Sequence, residues 1–320
     1  MTNRKLVTTV TVSYQSRSTI GQFLASMKPS AESGLADVVI VDNASSDGTA
    51  DYVEKAFPWA TLIRSDENLG FGRGCNRGFQ AVKTPYVLFI NPDASIEHEE
   101  LKKLVDFMES HPSAGIAGPA IEIAGSTEFQ PLGMLLTPMG LIRSALRVAN
   151  PIPSRRILKT GEAPYKTNWI CGAVMLVRSE LFERLNGFDP RFFLYFEETD
   201  LCLRVLRSGM DIWAVGEATA SHMGGVSAKQ AESDLTEPGI GGCIVEYFYT
   251  SRFYYLVKNY GWFSAIASET IARCSELARL TAKVLLRRER DSELSPNRPF
   301  LRMPKQIAHG ASLRGVEEFQ

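Results

Sequence analysis

Three features are missing from this sequence, and each absence narrows the class of protein. Its five cysteines are scattered and form no Cys-x-x-Cys pair, which argues against a disulfide framework and predicts reduced thiols in the cytoplasm. No stretch approaches the ~20 apolar residues that cross a bilayer, and the N-terminal segment carries no apolar signal core. The 35 basic and 36 acidic residues nearly cancel, so we expect no nucleic-acid partner.

The sequence does contain an alternation of strand and helix patterns over its first 120 residues. Apolar or β-branched runs such as residues 7–13, 37–42 (DVVIVD) and 86–90 (YVLFI) suit strands, the last two buried on both faces. The alternation predicts a doubly wound, mostly parallel, Rossmann-like sheet. Ligands bind such sheets at the carboxyl ends of the strands, so the residues that follow each strand are the first candidates for a site.

The chain divides into three predicted regions. An α/β domain covers residues 1–242, a helical segment covers 243–290, and a proline-containing, poorly ordered tail covers 291–320. Within the first region, residues 125–167 are rich in Gly, Pro and Ser, which predicts a long loop.

The helical segment carries a basic stripe near its end. Arg279, Lys283 and Arg287 recur every four residues, which places them on one helix face. A basic amphipathic helix is typical of an element that lies on a membrane surface, here the inner face of the cell membrane. Packing on its own domain or in a homodimer is the alternative, and the pattern does not choose between them.

The first motif that carries chemistry is VDNASSDGT, residues 41–49. Asp42 follows a predicted strand, and its carboxylate can accept a hydrogen bond from the N3–H of uracil or thymine, a donor that cytosine lacks. Asp47 and Gly48 are explained by turn formation. A loop whose Asp and Ser residues only cap the next helix is the alternative.

The second motif is glycine-rich: NLGFGRGCNRG, residues 68–78. Its glycine spacing differs from the dinucleotide-binding fingerprint, and it does not follow the first strand. We expect the glycines to let the backbone approach a ribose or a diphosphate, with Asn68 and Asn76 as polar contacts.

The third motif is NPDA, residues 91–94, directly after the buried strand 86–90. Asp93 there suits a Mg²⁺ or Mn²⁺ ion that is bound to a diphosphate, because these ions prefer carboxylate, phosphate and water oxygens. A simple Pro-Asp turn is the alternative. His222, in the segment ATASHMGG, follows another strand-like run, where a lone histidine is more often structural than a ligand.

The fourth motif is FFLYFEETDLCLR, residues 192–204, in which Glu197 and Glu198 open a predicted helix. Apolar surroundings and a neighbouring like charge both raise the pKa of a carboxyl group, which makes it a more usable base. Acidic residues also favour the first turn of any helix through its dipole. Asp200 and Arg204, four residues apart, predict an ion pair on the helix surface.

In their order and spacing these motifs resemble family 2 glycosyltransferases of the GT-A fold, in particular a branch of bacterial rhamnosyltransferases. The resemblance covers about residues 5–260 and includes GAVMLVR and GFDPRFFLYFEETDLCLR. It implies an inverting transfer of a sugar from a nucleoside-diphosphate donor to a glycan or lipid-linked oligosaccharide acceptor in cell-surface polysaccharide synthesis. The implied donor is dTDP-rhamnose, with UDP-linked hexoses as the alternative.

The same resemblance implies a role for each matching residue. Asp42 would contact the base, Tyr14 and Asn68 would line the nucleotide site, and Gly172 and Ala173 would lie beside the donor sugar. Asp93 matches the family's metal-binding aspartate and His222 a histidine that completes the metal site. Glu198 matches the catalytic base and Glu197 its partner.

Two departures and two alternatives accompany these assignments. The metal motif Asn91-Pro92-Asp93 has one carboxylate fewer than the family's pattern, and the acid pair is Glu-Glu where Glu-Asp is usual. The second departure leaves open which glutamate is the base. A nucleotidyltransferase on a similar core would need an N-terminal basic glycine-rich loop, which is absent. A catalytically silent glycan-binding scaffold would not need the acid pair, which is present.

Overall fold

The computed structural model describes residues 5–126, 131–147, 156–223, 241–285 and 301–303. The strands are β1 (Val7–Ser13), β2 (Ala36–Asp42), β3 (Thr61–Arg64), β4 (Tyr86–Ile90), β5 (Ala94–Ser95), β6 (Ala114–Ile123), β7 (Pro131–Leu132), β8 (Arg156–Ile157), β9 (Tyr165–Thr167), β10 (Val174–Arg178) and β11 (Asp211–His222). The helices are α1 (Ile20–Glu32), α2 (Thr49–Ala56), α3 (Phe71–Phe79), α4 (His98–Ser110), α5 (Pro138–Leu146), α6 (Ser179–Arg184), α7 (Glu197–Arg207), α8 (Gly241–Tyr260) and α9 (Trp262–Leu285).

The central sheet has the strand order β3-β2-β1-β4-β10-β6-β11-β5, with β9 paired to β11. Strands β1 to β4 are parallel, as the alternating pattern predicts. Strand β10 runs antiparallel between β4 and β6, and β6 and β11 are again parallel. The predicted α/β class with a C-terminal helical extension is therefore confirmed. The antiparallel pairs all lie on the side of the sheet that begins with β10.

Helices cover both faces of this sheet, which explains why every residue of β1 and β4 is buried. One apolar cluster lies between the sheet and helices α1 and α4, and a second lies between the sheet and helices α3, α6 and α7. The apolar run at 86–90 predicts a strand that is buried on both faces, and the β-branched and apolar run at 7–13 predicts a strand. Their bounds match β4 and β1.

Strand β6 is the main element to which the sequence pattern assigned nothing. Its segment AGIAGPAIEI contains two glycines and a proline, which weaken a strand pattern. Tertiary packing explains the glycines, because a Cβ on Gly115 would lie 2.6 Å from Leu181 and one on Gly118 would lie 2.5 Å from Ile170. The predicted loop at 125–167 likewise contains α5 and short strands, although 127–130 and 148–155 lie outside the described residues.

The two C-terminal helices form a third apolar cluster with α5 and the segment before α7. Arg279 donates to the backbone oxygen of Ala145 near the end of α5, which supports the packing interpretation for this residue. The side chains of Lys283 and Arg287, and most of the predicted tail, lie outside the described residues. None of the helices in the described ranges is both long and apolar enough to cross a membrane. The domain boundary at 242 stays a prediction.

Candidate active site

The candidate site begins where β1 and β2 end side by side, with Ser13 paired to Asp42. Asp42 is only 4% exposed. One of its carboxylate oxygens accepts the Ser13 hydroxyl at 3.3 Å, and the other accepts the backbone N–H of Ser45 at 3.1 Å. A carboxylate oxygen has a second lone pair, so a held carboxylate of this kind can still accept a donor from a ligand.

The loop after Asp42 is built by turn chemistry and is tied to the loop after β1. Asp47 accepts the backbone N–H of Thr49 at 3.0 Å, and Gly48 has a φ of +81°. Both observations confirm the turn interpretation of these two residues. Gln15 accepts the backbone N–H groups of residues 46 and 47, which leaves the half-buried Tyr14 at the junction of the two loops.

Asn43 directly follows Asp42 at the strand end where a site is expected, but the sequence assigned it no role. Its amide donates to Asn68 Oδ1 at 2.8 Å, and its own oxygen accepts the N–H of Leu69 at 2.9 Å. Asn68 Oδ1 also accepts the N–H of Gly70 at 3.0 Å. Asn68 therefore lies beside the predicted nucleotide site, but its side-chain oxygen shapes the loop.

The glycines of the second motif have a packing role in the fold, and the predicted approach to a ribose or a diphosphate stays a prediction. A Cβ on Gly74 would lie 2.8 Å from Val12, and one on Gly78 would lie 2.5 Å from Val10. These glycines let α3 lie directly on β1. Gly70 has a φ of +78°, and a Cβ there would lie 2.2 Å from the backbone oxygen of Phe193. The glycine loop thus docks on the segment that precedes the acid pair.

Asn76 also has a different role from the predicted nucleotide contact. Its side chain is 2% exposed, and both ends of its amide pair with the backbone of Phe188 at 2.7 and 2.9 Å. An amide that is held in this way joins α3 to the segment before α7, 112 residues further along the chain.

Replacing Asn76 by Ala should lower the free energy of unfolding by about 2–4 kcal/mol, because two buried backbone groups of Phe188 lose their partners. The donor KM should stay unchanged. Urea unfolding and donor kinetics measure the two effects, and Gln80→Ala, an exposed position at the end of the same helix, is the matched control. Unchanged stability with a raised donor KM would show instead that Asn76 contacts the nucleotide.

The predicted metal residues meet at the end of β4. The turn Asn91-Pro92-Asp93 leads into β5, which pairs with the end of β11 so that His222 lies opposite Ala94. His222 Nε2 is 3.1 Å from Asp93 Oδ1 and 3.4 Å from the amide of Asn91, and both Asp93 and His222 are buried. Within the described ranges no group of three or more His, Cys, Asp or Glu residues joins into a ready metal cage.

Gly172 and Ala173 connect this corner to the acid pair. The backbone N–H of Asn91 donates to the oxygen of Ala173 at 2.9 Å. A Cβ on Gly172 would lie 3.3 Å from the Cβ of Glu198, so only a small residue fits beside this acid. The predicted metal, sugar and base residues therefore form one continuous set of contacts.

Glu197 and Glu198 begin α7, but their surroundings differ. Glu197 is 5% exposed, and its Oε2 has no hydrogen-bond partner among the described residues. Glu198 is half-buried and accepts the Thr199 hydroxyl at 3.1 Å and the Trp169 indole N–H at 3.3 Å. Burial raises the pKa of both carboxyl groups, and the charge of Glu198 raises that of Glu197 further. The hydrogen bonds from Thr199 and Trp169 oppose the rise at Glu198.

A strained turn places the acid pair. Tyr195 and Phe196 have φ values of +68° and +69°, and a non-glycine residue in this region costs about 1–3 kcal/mol. Phe248 of α8 packs against both, with ring centroids 5.8 and 5.4 Å away. The hydroxyl of Ser251, one turn further along α8, donates to the backbone oxygen of Leu194 at 2.8 Å. Helix α8 thus holds the turn in its unfavourable conformation.

Asp200 and Arg204 do pair, at 2.7 Å, but the predicted surface location is wrong because Asp200 is fully buried. Lys258 of α8 lies 2.8 Å from Asp200 and 2.7 Å from Asp189. Burial alone would raise the pKa of Asp189, but hydrogen bonds and charges from Arg191 and Lys258 more than offset it and hold this pKa well below its usual range. The network joins α7 to α8.

The mixed sheet has the GT-A fold, as its similarity to two solved structures shows. The fold is similar to the crystal structure of GalNAc-T7 with UDP, GalNAc and Mn²⁺, with a TM-score of 0.53, 16% identity, and 69% of this chain and 44% of that chain covered. It is also similar to S. aureus TarS 1-349, with a TM-score of 0.51, 14% identity, and 92% of this chain and 98% of that chain covered.

The chain belongs to glycosyl transferase family 2, whose sequence profile matches residues 8–185, more than half of the chain. A profile for the N-terminal domain of galactosyltransferase matches residues 154–228, which include the acid pair. The N-acetylglucosaminyl-diphospho-decaprenol L-rhamnosyltransferase of Mycobacterium tuberculosis (strain CDC 1551 / Oshkosh) is 24% identical and covers 89% of this chain and 95% of its own. The dTDP-rhamnosyl transferase RfbF of Shigella flexneri is 25% identical over 69% of this chain and 68% of its own. The predicted membership of glycosyltransferase family 2 is confirmed, and both of these relatives are rhamnosyltransferases.

Proposed function

We propose that this enzyme transfers L-rhamnose, with inversion, from dTDP-rhamnose to a glycan or polyprenyl-linked acceptor in cell-surface polysaccharide synthesis. The observation that carries this proposal is the continuous set of contacts from Asp93 and His222 through Gly172 to Glu198. The rhamnosyl specificity of its relatives supports the choice of sugar, and the polyprenyl-linked acceptor of the mycobacterial relative supports the choice of acceptor.

Donor binding is assigned to the edge formed by Tyr14, Asp42 and Asn68. The Asp42 carboxylate would accept the N3–H of the base, which is present in both thymine and uracil. This contact therefore favours dTDP- and UDP-sugars together over cytosine-containing donors, because cytosine lacks an N3–H. UDP-linked hexoses remain the second donor class, because one hydrogen bond to N3–H does not separate thymine from uracil.

Asp93 and His222 fit a divalent cation. Their ligand atoms lie 3.1 Å apart in a buried corner and supply one oxygen and one nitrogen, and the donor diphosphate and water would complete the shell. A Mg²⁺ or Mn²⁺ ion bound there would neutralise charge on the departing diphosphate. A chain with only two such ligands is expected to bind metal weakly until the donor is present.

The chain's own residues account for the remaining chemistry. Glu198, or its neighbour Glu197, removes the proton from the acceptor hydroxyl as its oxygen attacks the anomeric carbon. Attack from the face opposite the leaving group inverts that carbon and needs no enzyme nucleophile. The burial of the pair raises its affinity for a proton, which suits this role.

Donor hydrolysis and binding across a panel of dTDP- and UDP-sugars is the direct test of this proposal. We expect dTDP-rhamnose to be selected with Mn²⁺ or Mg²⁺, and EDTA to remove turnover. Selection of a UDP-hexose would keep the transferase and change the sugar. If no nucleotide sugar bound with or without metal, the assignment of the donor site would be wrong.

The cytoplasmic location, the membrane-surface contact and the homodimer stay predictions. The exposed side of α9 carries large apolar side chains, among them Phe263, which is 88% exposed. This surface is compatible with either a membrane or a second copy of the chain.

A further inference from the structure

Trp169 contacts Glu198, the second member of the acid pair, although it lies 29 residues before it in the sequence. Its indole Nε1 is 3.3 Å from Glu198 Oε1 and 3.1 Å from the hydroxyl oxygen of Thr199, which itself donates to the same carboxylate oxygen. Indole can only donate, so both hydrogen bonds at Oε1 favour an ionised Glu198. They leave Oε2 outside this pair of contacts.

The backbone of Trp169 is held from outside the acid pair. Gly133 pairs with Trp169 in an isolated β-bridge and donates to its oxygen at 3.3 Å. The side-chain hydroxyl of Thr167 donates to the same oxygen at 3.4 Å. The indole ring also packs against the apolar cluster between the sheet and α7. These contacts therefore hold the indole N–H beside Glu198 before any substrate binds.

In the described part of the chain, Glu197 lacks the hydrogen-bond donors that surround Glu198. It is buried, its Oε2 has no partner among the described residues, and its Cβ lies against Gly72 of α3. Burial raises the pKa of three nearby thiols, those of Cys75, Cys171 and Cys202, and the charges of the pair raise it further. Burial is the larger cause, and it raises the pKa of Cys171 and of Cys202 to about 12, so these thiols stay neutral. Burial favours a neutral Glu197, and its charged neighbour adds to that preference.

We propose that Trp169 is a positioning residue that, with Thr199, holds Glu198 as the base of the pair while Glu197 stays neutral beside it. This inference rests on the proposed transferase function. In the step it describes, the acceptor proton moves to Glu198 as the acceptor oxygen bonds to the anomeric carbon. The bond from that carbon to the diphosphate oxygen breaks, and its electron pair leaves with the nucleoside diphosphate.

The contact can be tested without any turnover. The full chain contains four tryptophans, and in ¹⁵N-tryptophan-labelled protein Trp169→Phe identifies the indole N–H signal of Trp169. We expect this signal to shift with pH as Glu198 titrates, and the shift to disappear in Glu198→Gln. A signal that does not move with pH, or that moves equally in Glu198→Gln, would overturn the contact.

The kinetic test compares Trp169→Phe with Trp213→Phe. Trp213 is a half-buried indole that packs against Phe107 and His111, and its Nε1 has no hydrogen-bond partner among the described residues. Trp169→Phe should lower kcat about 10-fold at unchanged donor KM, because one hydrogen bond to a charged group is lost. The acid limb of its pH–rate profile should move to higher pH, since the lost bond favoured the ionised carboxylate. Thr199→Val should move the acid limb of the pH–rate profile in the same direction.

The outcomes separate this inference from the proposed function. If wild-type protein turns over no nucleotide sugar while the indole signal still titrates with Glu198, the contact stands and the transferase assignment fails. If wild-type protein is active and folded Trp169→Phe keeps its kcat and pH profile, the positioning role is wrong. An equal loss in Trp213→Phe would also contradict it, because that change removes an indole N–H that makes no hydrogen bond to either acid.

Discussion

Replacing Glu198 by Gln is expected to reduce sugar transfer by about 10²–10⁴-fold, the usual contribution of a general base. The amide keeps the shape of the side chain but cannot accept the acceptor proton. Donor binding should be unchanged, because the residues assigned to the nucleotide lie at the ends of β1 and β2. Transfer rates at saturating donor and acceptor, with a thermal melt to confirm folding, measure this effect.

Glu197→Gln is the matched control for this experiment. If Glu197 is neutral in the working enzyme, glutamine closely replaces it, and we expect at most an approximately tenfold loss. A folded Glu198→Gln enzyme with a near-normal rate would contradict the base assignment. A large loss of activity in Glu197→Gln alone would show that Glu197 is the base.

Replacing Lys258 by Met should lower the free energy of unfolding by about 3–5 kcal/mol, because it leaves two buried carboxylates short of a cation. Asp189 and Asp200 both lie within 2.8 Å of its ammonium group. The pKa of Asp189 is depressed in the folded protein, so its contribution to stability is present above its unfolded pKa and disappears as the pH falls. The difference between variant and wild type should therefore be largest near neutral pH and shrink below about pH 4.

Lys102→Met tests whether this effect belongs to the buried network. Lys102 forms an ion pair with Asp106 in which both side chains are more than half exposed. Such pairs contribute about 0–1 kcal/mol, so urea unfolding at several pH values should show little change. Similar losses in both variants, or a Lys258→Met loss that does not depend on pH, would contradict the role assigned to the network.

Much of the sheet could be predicted from the sequence because strands covered on both faces are continuously apolar. The bounds of β4 follow directly from that pattern, and those of β1 follow from its β-branched and apolar residues. Strand β6 did not, because its glycines are explained only by side chains from distant segments. The ends of the parallel strands also indicated where Asp42 and Asp93 would lie, since strand order places those ends on one edge.

The rest of the site depends on contacts between distant segments. The polar, glycine-rich motif predicts a nucleotide contact for Asn76, whereas its side-chain amide pairs with the backbone of Phe188, 112 residues away. Asp200 and Arg204 show a local helical spacing, but Lys258, which completes their network, comes from α8. Trp169 lies in no motif, and only its position before β10 brings it to Glu198. Local patterns therefore found the reacting groups and missed the residues that hold them.

The turn at Tyr195 and Phe196 has a consequence for engineering this enzyme. Two aromatic residues in left-handed backbone conformations are tolerated there because Phe248 and its neighbours on α8 hold them. The turn and α8 would therefore have to be exchanged together in any chimaera. A chimaera that takes its C-terminal helices from a relative would have to take residues 192–196 with them. Otherwise the hybrid would inherit a relaxed turn, with the catalytic acids displaced although no residue of the reaction centre had been altered.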